Sequence, residues 1–513
     1  MNRSENIFVF YCACLLLAAG LGHAETVVWS DNFETNAPNR WSITSGGWNI
    51  SSPSTGPAIN AAGFRAHSAT NCASTQNYLY NQDARIFCTN YNGTNSLVIP
   101  TASQAPRLRF WQWFNFENAL GYVELKSGTN NWQQISPTYI NTSGGGVWSR
   151  PSIDLSAFAG QSVQIAFHFT SGGCCGNGQG WFVDDVAVVT DTPVLYNPET
   201  FEFGGWVDWS VSAGTWEIGR PTSGPSAAHT GTNCAATVLA NNYANNVDSR
   251  FISPSFTVPS NSPALRFWHW YNFNNALGFV EISTDEGANW NQISPTYQNS
   301  NTGGSWTNVS IDLSVYGGKK VKVAFHFGSG GVYTAPGWYV DDVSVVAAPV
   351  LTVPQPQTIY AGQTLVVTNS ATNSILPDCT FTFGIGPASA NISINSTNGI
   401  LTWTNTAPAA PSTNTISVTV RDNNSPPLGA TNNFTVIIKL PNPPQLTSSI
   451  SITNGFQFTL NTISNTTWRI DASTNLLTWL PIFTNIAGAS GTLQFSDVLS
   501  TNFPCRYYRA VFQ

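Results

Sequence analysis

The sequence predicts an all-β protein: two tandem jelly-roll sandwiches followed by two smaller β domains. Runs of strand-forming residues recur between Gly, Pro and Asn clusters, and no apolar pattern with a 3.6-residue period reaches helical length. Only 9% of the residues are charged, against roughly 25% in an average protein. A long segment also occurs twice. A chain of 513 residues has room for several domains, each with its own core.

The first 24 residues predict a cleaved secretory signal. Arg3 supplies the positive charge, residues 7–21 the apolar run, and Gly22-His23-Ala24 the small-residue cleavage pattern. A membrane anchor is the alternative, but the apolar run is shorter than the ~20 residues that span a bilayer. No later stretch reaches transmembrane length. We therefore expect a protein that is secreted or held at the cell surface.

The duplicated segment defines the first two domains. Residues 106–125 (PRLRFWQWFNFENALGYVEL) align without gaps to residues 263–282 (PALRFWHWYNFNNALGFVEI), with 14 of 20 positions identical. NWQQISPTY, SIDLSAFAGQSVQIAFHF and GWFVDDVAVV then recur, slightly altered, in the same order. A period near 157 residues is too long for a solenoid unit and suits a duplicated domain. The predicted domains are 25–191 and 192–348, each a two-sheet jelly roll.

Two smaller modules are predicted after the repeats. Residues 349–440 contain alternating apolar and polar positions in TISVTV and NFTVIIKL, which is typical of strands with one buried face. PNPPQ is a stiff, proline-rich joint. Residues 441–513 form the last all-β unit.

The repeats resemble MAM-type jelly-roll domains of extracellular proteins, including those attached to secreted bacterial metallopeptidases of the immune-inhibitor-A type. The resemblance rests on an opening Phe-Glu, then GPSAAHTGTNCAAT, SIDLS and a closing GWYVDDVSV. The first repeat departs where VELKSGTNNW lacks the TDEG turn of the second. Residues 349–440 resemble Ig/cadherin-like domains through SINSTNGILTWT, and the last unit resembles a C-terminal β module of bacterial exported proteins through WRIDASTNLLTWLPI. The resemblance implies an Ig-like sandwich before the C-terminal module.

Charge and motifs exclude several functions. A net charge of -7 without clustered Lys or Arg argues against nucleic acid as a partner. The chain has no HExxH and no GxSxG elbow, so we predict that it is not an enzyme. The repeated His168 and His326 are expected to be hydrogen-bonded core residues. The repeated Glu124 and Glu281 are the weak remaining candidates for hydrolase carboxylates.

Scarce carboxylates predict a metal site in each repeat. Glu34 and Asp185 open and close the first repeat, and Glu202 and Asp342 the second. The first and last strands of a jelly roll lie close, so each pair can meet at one edge, and Ca²⁺ takes six to eight oxygen ligands. The resemblance implies the same structural Ca²⁺. Because successive strand residues face opposite sides, we assign only the second Asp of each Asp-Asp pair. Carboxylates bound to backbone amides are the competing interpretation.

The most aromatic strand of each repeat carries a polar and indole face that predicts a ligand site. Indoles can stack on sugar rings while Arg donates hydrogen bonds to hydroxyls. Packing of this face under loops is the competing interpretation, because Trp buries a large area. The residues concerned are Arg109, Trp111 and Trp113 in the first repeat and Arg266, Trp268 and Trp270 in the second.

Cysteine spacing predicts one disulfide. Nine cysteines become seven after signal cleavage, so at least one thiol stays free or pairs between chains. Cys72 and Cys88 are the best intradomain pair by spacing. Cys234 matches Cys72 in the second repeat, but Ala240 stands where Cys88 would be, so the fold does not require the bond.

These features together predict an exported, non-enzymatic binding or adhesion protein. Its tandem calcium-stabilised jelly rolls would bind a glycan or protein at an extracellular surface, and two copies raise avidity when both engage. The alternative is an extracellular hydrolase, or an accessory subunit of a secreted peptidase or polysaccharide-degrading system.

Overall fold

The structure is a computed structural model that describes most of the chain in two compact units. One unit holds residues 1–258 and 264–345, and the other holds 259–263 and 346–513. The predicted signal segment and Cys175 lie outside the described residues. Those are 25–34, 37–59, 63–140, 146–174, 178–203, 206, 208–298, 305–373, 375, 379–387, 391–404, 411–424, 426–450 and 455–513.

The first repeat forms two facing antiparallel sheets. Its elements are β1 (Thr26–Asp31), α1 (Ala37–Arg40), β2 (Trp41–Ile43), β3 (Asn49–Ser51), β4 (Cys72–Ser74), β5 (Asp83–Cys88), β6 (Leu97–Val98), β7 (Arg107–Asn115), β8 (Ala119–Ser127), β9 (Gln133–Gln134), β10 (Tyr139–Ile140), β11 (Ser152–Asp154), β12 (Ser162–Ser171) and β13 (Gly180–Thr190). The A sheet has the order β11-β7-β13-β4-β3, with β1 also on β13. The B sheet has the order β10-β8-β12-β5-β2, with β6 on β12 and β9 on β8.

The second repeat has the same two-sheet plan. Its strands are β14 (Ser210–Val211), β15 (Glu217–Gly219), β16 (Cys234–Ala236), β17 (Asp248–Ile252), β18 (Phe256–Thr257), β19 (Ala264–Asn272), β20 (Ala276–Ser283), β21 (Asn291–Gln292), β22 (Tyr297–Gln298), β23 (Thr307–Asp312), β24 (Lys320–Ser329) and β25 (Gly337–Val346). Its A sheet has the order β15-β16-β25-β19-β23. Its B sheet has the order β14-β17-β24-β20-β21, with β18 on β24 and β22 on β20.

The second unit consists of smaller sheets. Its strands are β26 (Val350–Thr352), β27 (Gln357–Tyr360), β28 (Thr364–Thr368), β29 (Ser370–Thr372), β30 (Phe381–Ile385), β31 (Ile392–Ile394), β32 (Ile400–Thr404), β33 (Ser412–Asp422), β34 (Gly429–Lys439), β35 (Gln445–Ile450), β36 (Phe456–Asn461), β37 (Thr467–Ser473), β38 (Leu480–Ile486), β39 (Thr492–Asp497) and β40 (Tyr507–Phe512). Sheets β27-β34-β33-β30 and β28-β32-β31 enclose a core around Trp403, and β35-β36-β39 and β38-β37-β40 enclose one around Trp468.

The prediction of an all-β fold is confirmed. Besides α1, the described helices are single 3-10 turns: Ala102–Gln104, Ser156–Phe158, Ser314–Tyr316 and Ser500–Asn502. None of these helices has the length and apolar character needed to cross a bilayer. The predicted domain boundaries stay predictions.

An indole fills the centre of each jelly roll. Trp181 and Trp338 are fully buried between the A and B sheets, each surrounded by other aromatic rings. Each ring lies against a glycine of the facing strand: a Cβ on Gly121 would stand 2.6 Å from Trp181, and one on Gly278 would stand 2.7 Å from Trp338. The glycine therefore leaves the space that the indole fills.

We predict that Gly278→Ala destabilises the second repeat by about 1–3 kcal/mol, because the added methyl group overpacks the indole. Denaturant unfolding followed by tryptophan fluorescence measures the loss. Gly46→Ala is the matched control, since a Cβ there meets nothing within 4 Å. Equal unfolding midpoints for the two variants would contradict this account of the core.

Candidate functional site

The predicted acidic residues of the first repeat meet on one loop, residues 67–71. Glu34 Oε1 accepts hydrogen bonds from the backbone N–H groups of Thr70, at 2.8 Å, and Asn71. Asp185 Oδ1 accepts from the Ser68 hydroxyl at 2.7 Å, and its Oδ2 lies 2.7 Å from His67 Nδ1. The opening Glu and closing Asp thus hold the same five-residue segment.

The second repeat reproduces this arrangement on residues 229–233. Glu202 Oε1 accepts from the backbone N–H of Thr232 at 2.7 Å and from the next residue, Asn233, at 2.6 Å. Asp342 accepts from the Thr230 hydroxyl at 2.6 Å and pairs with His229 Nδ1. All four predicted acidic residues therefore lie at a loop that joins the two ends of their repeat.

Both residues of each Asp-Asp pair face this loop. Asp184 is fully buried and accepts the Ser68 backbone N–H at 3.0 Å, beside the contact that Asp185 makes. The pairing of β13 with β7 shifts register between Asp184 and Ala187, and Asp185 has φ 46°. This β-bulge turns consecutive side chains to one side, which a regular strand does not allow. The expectation that only the second Asp is involved is corrected on this point.

The buried carboxylates carry an electrostatic cost. Burial raises the pKa of Asp184 to about 8, with a further contribution from Asp185, and burial raises that of Asp341 to about 7. No Lys or Arg pairs with Asp184 or Glu34 in the described part of the chain. A cation bound there would remove the cost of burying negative charge.

Side chains alone do not form a metal cage at these loops. Among the described residues, no group of three or more His, Cys, Asp or Glu is arranged to hold a metal ion. Any Ca²⁺ would need backbone or hydroxyl oxygens to complete its shell. The amide contacts of Glu34 and Asp184 match the competing interpretation of carboxylates bound to the backbone, and calcium stays a prediction.

The predicted aromatic platform is largely closed. Leu108 and Phe110 face the core between the sheets, and the opposite face of β7 is buried as well. Trp113 packs with Ala66 and Phe182 in a second, smaller apolar cluster, and Trp270 occupies the corresponding cluster of the second repeat. The exposed fractions are 0% for Arg109, 4% for Trp113, 6% for Arg266 and 6% for Trp270.

The remaining two tryptophans are half-buried beneath the same loops. Trp111 stacks on His67 with ring centroids 3.9 Å apart, and Trp268 stacks on His229 at the same distance. Each histidine also contacts the closing Asp of its repeat. The loops therefore cover the predicted platform, and the packing interpretation describes this face correctly.

Arg109 joins the two repeats and does not face solvent. Its guanidinium donates to the carbonyl oxygens of Trp206, at 2.6 Å, and Trp209, at 3.2 Å, and forms an ion pair with Glu25. Arg150 also donates to the Trp206 carbonyl, at 2.8 Å, and pairs with Glu25 at 3.0 Å. These contacts connect the first repeat to the second within one compact unit.

The predicted Cys72–Cys88 disulfide is absent, and both thiols are free and buried. Cys72 lies in the A sheet beside Trp113, on the side that faces away from the core. Cys88 lies in the B sheet and belongs to the core between the sheets. A disulfide needs Cβ atoms about 4 Å apart. Cys72 and Cys88 cannot meet this requirement, because the A sheet separates their side chains.

A group of ionisable residues on the outer face of each B sheet was not predicted as a site. We call it the outer cluster. In the first repeat, Arg85 pairs with Glu124 at 2.5 Å, and His168 lies 3.2 Å from Glu124 and 2.6 Å from Asp83. Asp83 is 77% exposed, so the outer cluster opens to solvent at this carboxylate.

The second repeat carries the same outer cluster. Arg250 pairs with Glu281 at 2.6 Å, and His326 lies 3.1 Å from Glu281 and 2.6 Å from Asp248. Asp248 is 76% exposed. The histidines are hydrogen-bonded, as the sequence indicated, but to carboxylates on an outer face and not within the core between the sheets.

Half-buried aromatic rings flank each outer cluster. Tyr122 meets His168 edge-on at 4.8 Å, and Arg85 lies 5.8 Å from the Trp132 ring. In the second repeat, Phe279 meets His326 at 4.7 Å, and Arg250 lies 5.9 Å from the Trp290 ring. The sequence contained a signal for this site: ionisable residues two apart, DAR and DSR, at matching positions of the repeats.

The outer clusters should make stability depend on pH. Burial lowers the pKa of His168 and His326, but hydrogen bonds to carboxylates outweigh it and raise the pKa overall. Burial raises the pKa of Glu124 and Glu281, but hydrogen bonds from His and Arg lower it overall. The His contribution is complete below about pH 6.5 and is lost as pH rises through the folded pKa. The Glu contribution is complete above about pH 4.3 and is lost on further acidification.

We predict that the double variant His168→Gln, His326→Gln loses more stability at about pH 5.5 than at about pH 8.5. Denaturant unfolding at both pH values gives the free energy of unfolding of the variant and of the unaltered chain. Subtracting one from the other at each pH cancels the pH effects of other groups. An identical loss at the two pH values would show that the histidines do not titrate with their carboxylate partners.

Comparison with known proteins identifies the repeat fold. Residues 199–349 match the MAM domain (meprin/A5/mu) family model, so the predicted MAM resemblance is confirmed for the second repeat. The chain is 36% identical to Bacillopeptidase F of Bacillus subtilis (strain 168) over 143 residues, which are 27% of this chain and 10% of that protein. The chain thus spans about a tenth of the length of this relative.

Two solved structures show some likeness to this chain. The CBM22-1-CBM22-2 tandem of Xyn10C from Paenibacillus barcinonensis is 13% identical with a TM-score of 0.21, covering 64% of this chain and 100% of that one. The K3 adhesin domain of Lys-gingipain from Porphyromonas gingivalis W83 is 19% identical with a TM-score of 0.21, covering 32% and 98%.

Proposed function

We propose that this protein is an exported, non-enzymatic binding protein whose tandem jelly rolls engage a glycan at an extracellular surface. The single observation that carries the proposal is the outer cluster, which recurs with the same pairings in both repeats. In each copy an exposed carboxylate, an arginine and aromatic rings stand together on the outer face of the B sheet. The predicted site on the A sheet is covered, so the B-sheet face is the surface offered to a ligand.

The chemistry of the outer cluster suits sugars. The exposed carboxylates of Asp83 and Asp248 accept hydrogen bonds from hydroxyl groups, and Arg85 and Arg250 donate them. The Trp132 and Trp290 rings provide apolar faces for stacking, and a few polar groups beside aromatic side chains are usual for ligand sites. Two such faces on one chain raise avidity for a polymer that presents many copies of its repeating unit.

The same geometry disfavours hydrolysis by these residues. A glycosidase general acid needs a raised pKa so that it carries a proton near neutral pH. Burial raises the pKa of Glu124, but hydrogen bonds from His168 and Arg85 lower it overall, which keeps the carboxylate ionised. The match to Bacillopeptidase F favours a second candidate, an accessory sandwich of an extracellular peptidase.

A structural Ca²⁺ at each acidic loop belongs to the proposal. Glu34 with Asp185, and Glu202 with Asp342, would supply carboxylate oxygens, and the ion would offset buried negative charge on Asp184 and its counterpart. Bound metal would fix the loops that cover the A sheet without taking part in glycan binding.

We predict that EDTA lowers the melting temperature of the full chain and that added CaCl₂ restores it. Saturation at about 100 times Kd is worth ~2.7 kcal/mol per site. The double variant Glu34→Gln, Glu202→Gln should melt at the same temperature with and without EDTA. If EDTA does not change the melting temperature of the unaltered chain, calcium is removed from the proposal, and the proposal of glycan binding is not affected.

We predict that the full chain is retained on at least one polysaccharide in an affinity-gel panel of xylan, cellulose, galactan and chitin. The quadruple variant Asp83→Asn, Trp132→Ala, Asp248→Asn, Trp290→Ala should lose this retention, because it removes the exposed acceptor and the stacking ring from both repeats. Trp479→Ala, which removes a half-buried indole outside the repeats, is the matched control.

Two outcomes of this retention experiment would contradict the proposal. Retention of the quadruple variant at the level of the unaltered chain would remove the outer clusters as the binding sites. Retention of the unaltered chain on none of the polysaccharides would contradict a glycan of these classes and favour the accessory role beside a peptidase.

A further inference from the structure

We infer that the outer cluster of the second repeat forms one side of a groove completed by the first repeat, and that this groove binds an extended, uncharged glycan segment. The inference rests on the proposed function and deepens it. It assigns different roles to the two copies and defines the ligand as several consecutive sugar units.

The two repeats are held in one arrangement at their junction. Besides the ion pairs of Glu25, the Val211 N–H donates to the Arg150 carbonyl at 3.4 Å. Val147 of the first repeat packs against the core of the second, and Ala213 of the second packs against the core of the first. The ring of Trp111 meets that of Trp206 at 5.2 Å. A groove between surfaces joined in this way has a defined shape.

The central part of the groove lies directly between the repeats. It is a cleft of about 780 Å³ whose walls include Asn118 and Thr138 from the first repeat and Asp248 and Arg250 from the second. Asn118 and Thr138 are exposed, so their polar groups are open to the cleft. The second outer cluster therefore faces residues of the other repeat and not bulk solvent alone.

Two further cavities extend this cleft along the second repeat. A cavity of about 460 Å³ shares Arg250 with the cleft and reaches Trp290. A cavity of about 820 Å³ shares Asp248 with it and reaches Phe279 and His326. Trp290, Arg250, Asp248 and Phe279 thus follow one another along a continuous surface. Each cavity falls within the roughly 300–1,000 Å³ that holds a small ligand, so the line of three accommodates more than one sugar ring.

The charges along the groove select an uncharged polymer. Arg250 is already paired with Glu281, so it offers little net attraction to an anion. Asp248 is hydrogen-bonded to His326 but remains 76% exposed. Together with Glu281 and with Glu117 on the facing wall, it leaves an excess of negative charge that would repel carboxylated or sulfated chains. Hydroxyl groups can use the same carboxylates as acceptors. The facing wall is part of the first repeat. It therefore lies opposite the outer cluster of the second repeat, and the groove includes that cluster only.

The experiment compares repeat-equivalent variants against oligosaccharides of increasing length. Thr138 and Thr296 occupy the same place in the two ISPTY segments, both are exposed, and each lies near an equivalent Gln, at 3.1 Å in both repeats. Thr138 lines the central cleft, so Thr138→Arg inserts a long side chain into the groove. Thr296→Arg makes the same change in the second repeat and is the control.

Calorimetric titration of the full chain with xylo-, cello- and galacto-oligosaccharides of two to six units provides the readout. Thr138→Arg should weaken binding of the longest bound oligosaccharide by about tenfold or more, equivalent to ~1.4 kcal/mol, and leave the shortest unchanged. Thr296→Arg should bind like the unaltered chain. Trp290→Ala should weaken every length, and Trp132→Ala should have a smaller effect on the longest.

The outcomes separate the groove from the proposed function. If Thr138→Arg binds every length like the unaltered chain while Trp290→Ala weakens binding, the groove is overturned and glycan binding stands. Equal weakening of all lengths by Thr138→Arg, or an equal effect of Thr296→Arg, also overturns the groove. If neither Trp variant changes binding, or no oligosaccharide binds, the proposed function itself fails.

Discussion

The carboxylates at the two ends of each repeat determine which faces of the jelly roll are available. Glu34 follows the first strand, Asp184 and Asp185 lie in the last, and all three bind the loop 67–71. This loop brings His67 onto Trp111, and Ala66 packs beside Trp113. One set of polar contacts therefore closes the repeat and covers the outer face of its A sheet.

The outer face of the B sheet differs from the covered face of the A sheet. The outer face of the B sheet keeps ionised groups that pair with one another and still reach solvent through Asp83 and Asp248. Paired and hydrogen-bonded charges can remain on a sheet surface at little cost, whereas an unpaired buried charge is strongly unfavourable. The two faces thus differ in kind: the A face is an extension of the core, and the B face is a polar surface with aromatic edges.

Duplication preserved the interior and changed the junction. The central indole, its glycine and the acidic loop occur in both repeats. Two of the residues that join the repeats have no equivalent in the other copy: Pro193 stands where Glu25 would be, and Asn308 where Arg150 would be. Different residues at these positions let one copy bind the backbone of the other at Trp206. These contacts hold two otherwise similar domains in one arrangement.

The sequence by itself determined the strand content, the duplication and the meeting of the terminal carboxylates. Alternation of apolar and polar residues and near-identical segments can be read directly from the sequence. The meeting of the terminal carboxylates then follows from the predicted fold, because the first and last strands of a jelly roll lie close together. Tertiary structure decided what lies on either side of each sheet. Alternation separates Phe110 from Trp111 but does not show that a loop covers the second face, so the sequence left packing and an open platform as alternatives.

Tertiary structure also decided the details that depend on distant partners. The bulge at Asp185 breaks the alternation on which the assignment of a single Asp relied. Cys72 and Cys88 lie near each other in sequence but in different sheets. The outer cluster joins strands far apart in the chain, since Asp83 and Glu124 are brought to His168 only by the order of the B sheet. Whether two residues on different strands lie close together depends on the order of the strands in the sheet. A single sequence predicts that order only indirectly.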